Sequence, residues 1–121
     1  MMAVFESLRD ALAEVSGVAS CKIGLEANIS PADYPLIRIV PSRLLPNERY
    51  GHRKSEVTIY FGVDISESEG GLEDVYSSLF NLESDIRSKL STFGAIYRET
   101  ITDEDKLDTY KVMAIRCEVA D

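Results

Sequence analysis

The sequence predicts an α+β fold, a two-layer sandwich with two helices packed on one face of a mainly antiparallel or mixed sheet. Three observations carry the expectation. Residues 72–90, LEDVYSSLFNLESDIRSKL, place Leu72, Val75, Tyr76, Leu79, Leu82, Ile86 and Leu90 at helical spacing, with Phe80 widening the apolar face. Residues 55–65, SEVTIYFGVDI, alternate without a break: Val57, Ile59, Phe61, Val63 and Ile65 on one face, polar or small residues on the other. The full succession of periodic segments reads α-β-β-β-α-β-β in 121 residues, a length suited to a single domain spanning 1–121.

Residues 3–16 form the first predicted helix, with Val4, Phe5, Leu8, Leu12 and Val15 on one face and Gly17 as its stop. No capping side chain precedes it. A short strand follows over 18–25, with Ala19, Cys21, Ile23 and Leu25 pointing one way. After the polar EANISPAD connection comes a strand over 36–40, bounded by Pro35 and Pro41. Ile37 and Ile39 face the helices; Leu36, Arg38 and Val40 lie opposite. Residues 42–54, SRLLPNERYGHRK, are a long loop or arm, basic in an acidic chain. Beyond the alternating strand, Ser66 and Glu69 have capping-box spacing before the long helix. Within that helix, Glu83 with Arg87 and Asp85 with Lys89 run acid to base at i, i+4. Gly94 closes it, and strands over 95–101 and 109–119 follow, joined across TDEDKLD as a hairpin. The last strand is apolar on both faces: Met113, Ile115, Cys117 and Val119 on one, Tyr110, Val112 and Ala114 on the other. Such a strand is either covered twice or exposed at a contact between subunits.

Net charge is −8, from 21 acidic and 13 basic residues, which argues against electrostatic capture of nucleic acid. No run approaches the ~18 apolar residues of a membrane span. The start, MMAVFESLRD, lacks a basic region followed by an apolar run, so a reducing cytoplasm is expected, with Cys21 and Cys117 as buried free thiols.

Catalytic patterns are missing. His52 is the sole histidine, no serine sits in a nucleophile elbow, and the cysteines lack zinc spacing. Gly70 and Gly71 precede a helix but no lysine follows as in a phosphate loop, and Asp103, Glu104, Asp105 and Asp108 lack the calcium-loop pattern. The chain is therefore expected not to be an enzyme and to need neither cofactor nor metal. The candidate contact residues are Arg43, Leu44, Leu45, Arg49, Tyr50, Arg53 and Lys54 in the arm, with Tyr110 and Val112 on the last strand. Their expected partner is an acidic protein surface, such as residues 99–108 of a neighbouring subunit.

The helix VFESLRDALAEV, the strand YPLIRIVP, the SRLLPNERYGHRK connection, the strand SEVTIYFGVDI, the long helix and the closing AIYRETI and YKVMAIRCEV pair together span nearly the whole chain. In length, order and pattern they resemble the tail-terminator, or tail-completion, proteins of long-tailed bacteriophages and prophages. The resemblance implies a noncatalytic virion assembly protein, working in the host bacterial cytoplasm and then in the virion tail. Its copies would form a ring, with a hexamer favoured, that ends the tail tube and joins it to the head–tail connector protein. Its partners would be itself, the tail-tube protein and the connector, with DNA only as cargo passing through the lumen and no membrane. Two alternatives stand beside it: a head–tail connector component of the same machinery, and an unrelated small α+β binding module or enzyme.

Overall fold

The computed structural model describes residues 1–46, 53–65, 70–102 and 110–121. Its elements are α1 (Met2–Leu12), β1 (Ser20–Ile23), a 3-10 turn (Pro31–Asp33), β2 (Leu36–Pro46), β3 (Arg53–Asp64), α2 (Leu72–Phe93), β4 (Ile96–Ile101) and β5 (Tyr110–Ala120). This is the order the periodicities predict. The strands make one sheet in the order β1-β2-β3-β5-β4, with β1 parallel to β2 and the other neighbours antiparallel. β5 lies between β3 and β4, so α2 carries the chain over the strand that pairs with both.

Both helices lie on one face of the sheet. Phe5, Leu8 and Leu12 of α1 and Val75, Leu79, Leu82, Ile86 and Leu90 of α2 enter a single core with Ile37, Ile39, Val57, Ile59, Phe61, Met113, Ile115, Cys117 and Val119. Every second residue of β3 and β5 reaches this core, as strand geometry requires. Lys89 Nζ ties α2 to the turn after α1 by an ion pair to Glu14 at 3.2 Å, rather than pairing with Asp85 as the spacing suggested. Glu83 and Arg87 do pair, at 3.3 Å.

Several boundaries differ from those expected. α1 ends at Leu12, and tighter bonds such as Val15 N–H to Leu12 O carry the chain on, which still buries Val15. β1 ends at Ile23 because Gly24, at φ 89°, turns the chain away and leaves Leu25 57 % exposed. Phe80 is 53 % exposed, so it lies beside the apolar stripe of α2 and not within it. The Ser66–Glu69 capping box lies outside the described residues; the residue before α2 is Gly71, without a side-chain cap. Glu73 and Asp74 in the first turn instead meet the positive end of the helix. At the other end Gly94 has the left-handed conformation, and its N–H and that of Ala95 both reach Leu90 O.

The largest correction concerns residues 42–54. β2 does not stop at Pro41 but runs to Pro46, and β3 begins at Arg53, so the described ends of the expected loop or arm, 42–46 and 53–54, are a paired ribbon. Pro41 is tolerated because the register shifts between Pro41 and Arg43, and because β1 pairs β2 only over Leu36–Ile39. Side chains repair the irregularity. Ser42 Oγ donates to Glu56 O at 3.0 Å, and Ser55 Oγ donates to Arg43 O at 3.1 Å.

Candidate interaction surface

The sheet face away from the helices divides into a covered half and an open half. The covered half is built by the β1–β2 connection, which crosses beneath the strands. Ser30 and Asp33 fix its turn: the Ser30 N–H donates to Asp33 Oδ2 at 2.8 Å, which lowers the carboxyl pKa. Tyr34 then stacks on Tyr110 with ring centroids 4.4 Å apart and planes 8° apart. Desolvation, followed by the neighbouring Tyr110 phenol, raises the Tyr34 pKa. Gly62 makes room for this stack. A Cβ there would stand 2.8 Å from Lys111 O, 2.9 Å from Val112 Cγ2 and 3.3 Å from the Tyr34 ring.

Arg38 fastens the same connection. It is fully buried although it points away from the helices. Its Nε donates to Glu26 Oε1 at 2.7 Å, and Nη1 donates to Ser20 Oγ at 3.0 Å and Ile37 O at 2.9 Å. Nη2 lies 2.6 Å from the same Glu26 oxygen as an ion pair without hydrogen-bond geometry. A buried guanidinium must be paired to be tolerated, so Glu26 and the carbonyls hold residues 24–35 against the sheet.

The open half carries charge. Cross-strand pairing sets Arg43 beside Glu56 and Glu56 beside Glu118. Arg98 pairs with Glu118, and Arg116 Nη1 lies 2.9 Å from Glu99. Ser42, Glu56, Arg98, Glu99, Arg116 and Glu118 line an open cleft of about 380 Å³. Ile96 and Ile101 stand exposed on the edge strand beside it. A second cleft of about 230 Å³, between α2 and the start of β2, is lined by Gly17, Pro35, Ser78, Asn81 and Asp85 among others. Asp85 is its lone carboxylate, which gives no acid–base pair.

The candidate contact residues fall on both halves. Arg43 is exposed, 3.7 Å from Glu56, on the open half. Leu45 and Lys54 oppose each other on the same side of the ribbon, Leu45 half-buried and Lys54 exposed. Leu44, which is 49 % exposed, pairs with Ser55 on the helix side, and Arg53 pairs with Pro46 there. Tyr110 and Val112 are half-buried at the covered end, where the chain's own Tyr34 meets Tyr110. Arg49 and Tyr50 lie outside the described residues, as do His52 and the acids of 103–108. Sequence reasoning missed Glu26, Tyr34 and Gly62; a glycine within an alternating strand was the available signal of close approach.

The free edges are poor templates for strand addition. Beyond Ile39, β2 has no partner on its outer side among the described strands, but Pro41 and Pro46 remove donors there. β4 is six residues long and its register shifts between Tyr97 and Glu99. Contacts through side-chain surfaces are therefore favoured over a continued sheet.

Both cysteines are free, but only Cys117 is buried as expected; Cys21 is half-buried. Burial pushes the Cys21 thiol up to about 11 and the Cys117 thiol to about 12, so neither is a nucleophile at neutral pH. Among the described residues no three His, Cys, Asp or Glu side chains converge as a metal site. No helix among them is long and apolar enough to cross a membrane. No family model matches the sequence, and a search of curated proteins finds no match.

Proposed function

We propose that the chain is a structural virion assembly protein. In this reading its copies form a ring, with a hexamer favoured, that terminates a phage tail tube and joins it to the head connector. The α+β element order that suggested the tail-terminator resemblance supports it. The observation that carries it is the half-open outer sheet face: Glu56, Arg98, Glu99, Arg116 and Glu118 mix both signs along a shallow cleft, with Arg43 beside it, instead of converging on one reacting atom. Mixed charge of this kind suits the recognition of another protein surface, giving orientation and partner choice. A closed ring needs two different patches per subunit, and the basic ribbon and the face of the last strand are two such patches. The overall charge of −8 suits passage of DNA without arrest.

The test is a mass measurement in solution, for the chain alone and again with tail-tube protein. A ring in either condition is the expected result. Its absence in both overturns the reading, whereas monomers of the isolated chain are compatible with assembly on the tube.

A further inference from the structure

We propose that the surface of α2 formed by exposed Leu72, Glu73 and Phe80, with half-buried Tyr76 between them, receives the β2–β3 ribbon of a second copy, which presents Leu44 and Arg53 to it. The inference rests on the ring reading and names the contact by which one subunit follows the next.

This stripe borders the buried face of α2, with Tyr76 half-buried against the core at the boundary. Val75, Leu79, Leu82, Ile86 and Leu90 fill the core, while Leu72 is 43 % and Phe80 53 % exposed. Tyr76 and Phe80 form one aromatic surface, with ring centroids 6.1 Å apart and planes 27° apart. Glu73 lies seven residues before Phe80, two turns along the same side of the helix. The surface is acidic as well as apolar: α2 holds Glu73, Asp74, Glu83 and Asp85 against Arg87 and Lys89, and Glu83 is already held by Arg87.

The ribbon has the complementary character. Residues 42–54 hold four bases, Arg43, Arg49, Arg53 and Lys54, against one acid, Glu48, in a chain of net charge −8. Leu44 is half exposed, and the pairings Leu44 with Ser55 and Pro46 with Arg53 place Leu44 and Arg53 on one side of the ribbon. Among the described residues neither Arg53 nor Lys54 has an ion-pair partner. An apolar side chain flanked by cations thus meets an aromatic surface flanked by acids, a match of both burial and charge. The patches belong to different elements, so the contact is head-to-tail and repeats from copy to copy. Strand addition is the competing mode, and Pro41 and Pro46 weigh against it.

Two measurements on the full chain test this. Leu44→Cys and Phe80→Cys variants, each also carrying Cys21→Ser because Cys21 is only half-buried, are mixed and treated with a short bifunctional maleimide; Cys117 is protected by burial. The expected product is a dimer linking the two variants, and a ladder when both changes are in one chain. Separately, Arg53→Glu and Glu73→Arg should each weaken self-association roughly tenfold, and the double variant should recover most of the loss. Oligomers that form without the cross-link, or a double variant no better than either single one, overturn this contact and leave the ring reading standing. If the unaltered chain gives no oligomer alone or with tail-tube protein, the ring reading falls and this contact with it.

Discussion

The two faces of the sheet are made by the same strands and closed by different means. On one face Val57, Ile59 and Phe61 of β3 meet two helices whose buried side chains recur every three or four residues. On the other, Arg38, Gly62 and Tyr110 meet an irregular connection held by the ion pairs of Glu26 with Arg38 and Lys22 and by one aromatic stack. The helical cover extends under most of the sheet; the loop cover reaches only half of it and leaves an arginine–glutamate surface in water. Regular elements spread burial over many residues. A loop concentrates it in a few polar anchors, because its backbone groups need partners of their own.

The sharpest way to break this contrast is to remove one large side chain from the helical cover. Leu79 is fully buried between α2 and the sheet. Leu79→Ala should lower the unfolding free energy by about 2–5 kcal/mol in a urea titration. A loss under ~1 kcal/mol would show that α2 does not close this face. The matching change in the loop cover is Gly62→Ala. Its methyl group would meet the rigid Lys111 carbonyl as well as the Tyr34 ring, so a loss of about 1–3 kcal/mol is expected. A neutral result would mean that β5 and Tyr34 leave room for a side chain at position 62.

The same contrast explains what was legible in the sequence. The helical face could be read because its periods are local: Leu79, Leu82 and Ile86 announce a helix face, and Val57, Ile59 and Phe61 announce a strand face. The loop cover could not. Glu26 and Arg38 are twelve residues apart, and Tyr34 and Tyr110 are far more distant; no period links either pair. The doubly apolar last strand was a true signal whose cause at Tyr110 lies within the chain. The length of β2 was hidden for another reason. Pro41 reads as a strand end, and only the register shift beside it, repaired by Ser42 and Ser55, shows why the strand continues. Of the candidate contact residues, the basic character of the ribbon was plain, but the exposure of Phe80 was not. Phe80 adjoins Leu79 in sequence, and about one helical step separates a core position from the surface.

A smaller effect tests how dry the helical face is. Burial holds the Cys117 thiol protonated up to about 12, whereas in an unfolded chain it ionises near ~8.5. Above that pH the unfolded chain releases a proton that the native state keeps. Stability is therefore complete below ~8.5 and declines as pH rises toward the folded value, by on the order of 1–2 kcal/mol at pH 10. Cys117→Val should flatten this decline in unfolding curves taken between pH 8 and 10. An unchanged slope would assign the alkaline loss elsewhere.

The smallest expected effect belongs to the open half of the outer face. Arg116 and Glu99 are both about half exposed, and their pair at 2.9 Å stands in water. An exposed pair of this kind contributes at most about 1 kcal/mol, because solvent screens it and two long side chains must be ordered to make it. Arg116→Ala, Glu99→Ala and the double variant should therefore give a coupling energy below ~1 kcal/mol in a urea-unfolding cycle on the isolated chain. If the same changes weaken oligomer formation by more than the fold loses, the charges serve a partner surface rather than the subunit that carries them. A larger coupling within the isolated chain would instead make this surface part of the fold, and would remove the main distinction between the two faces.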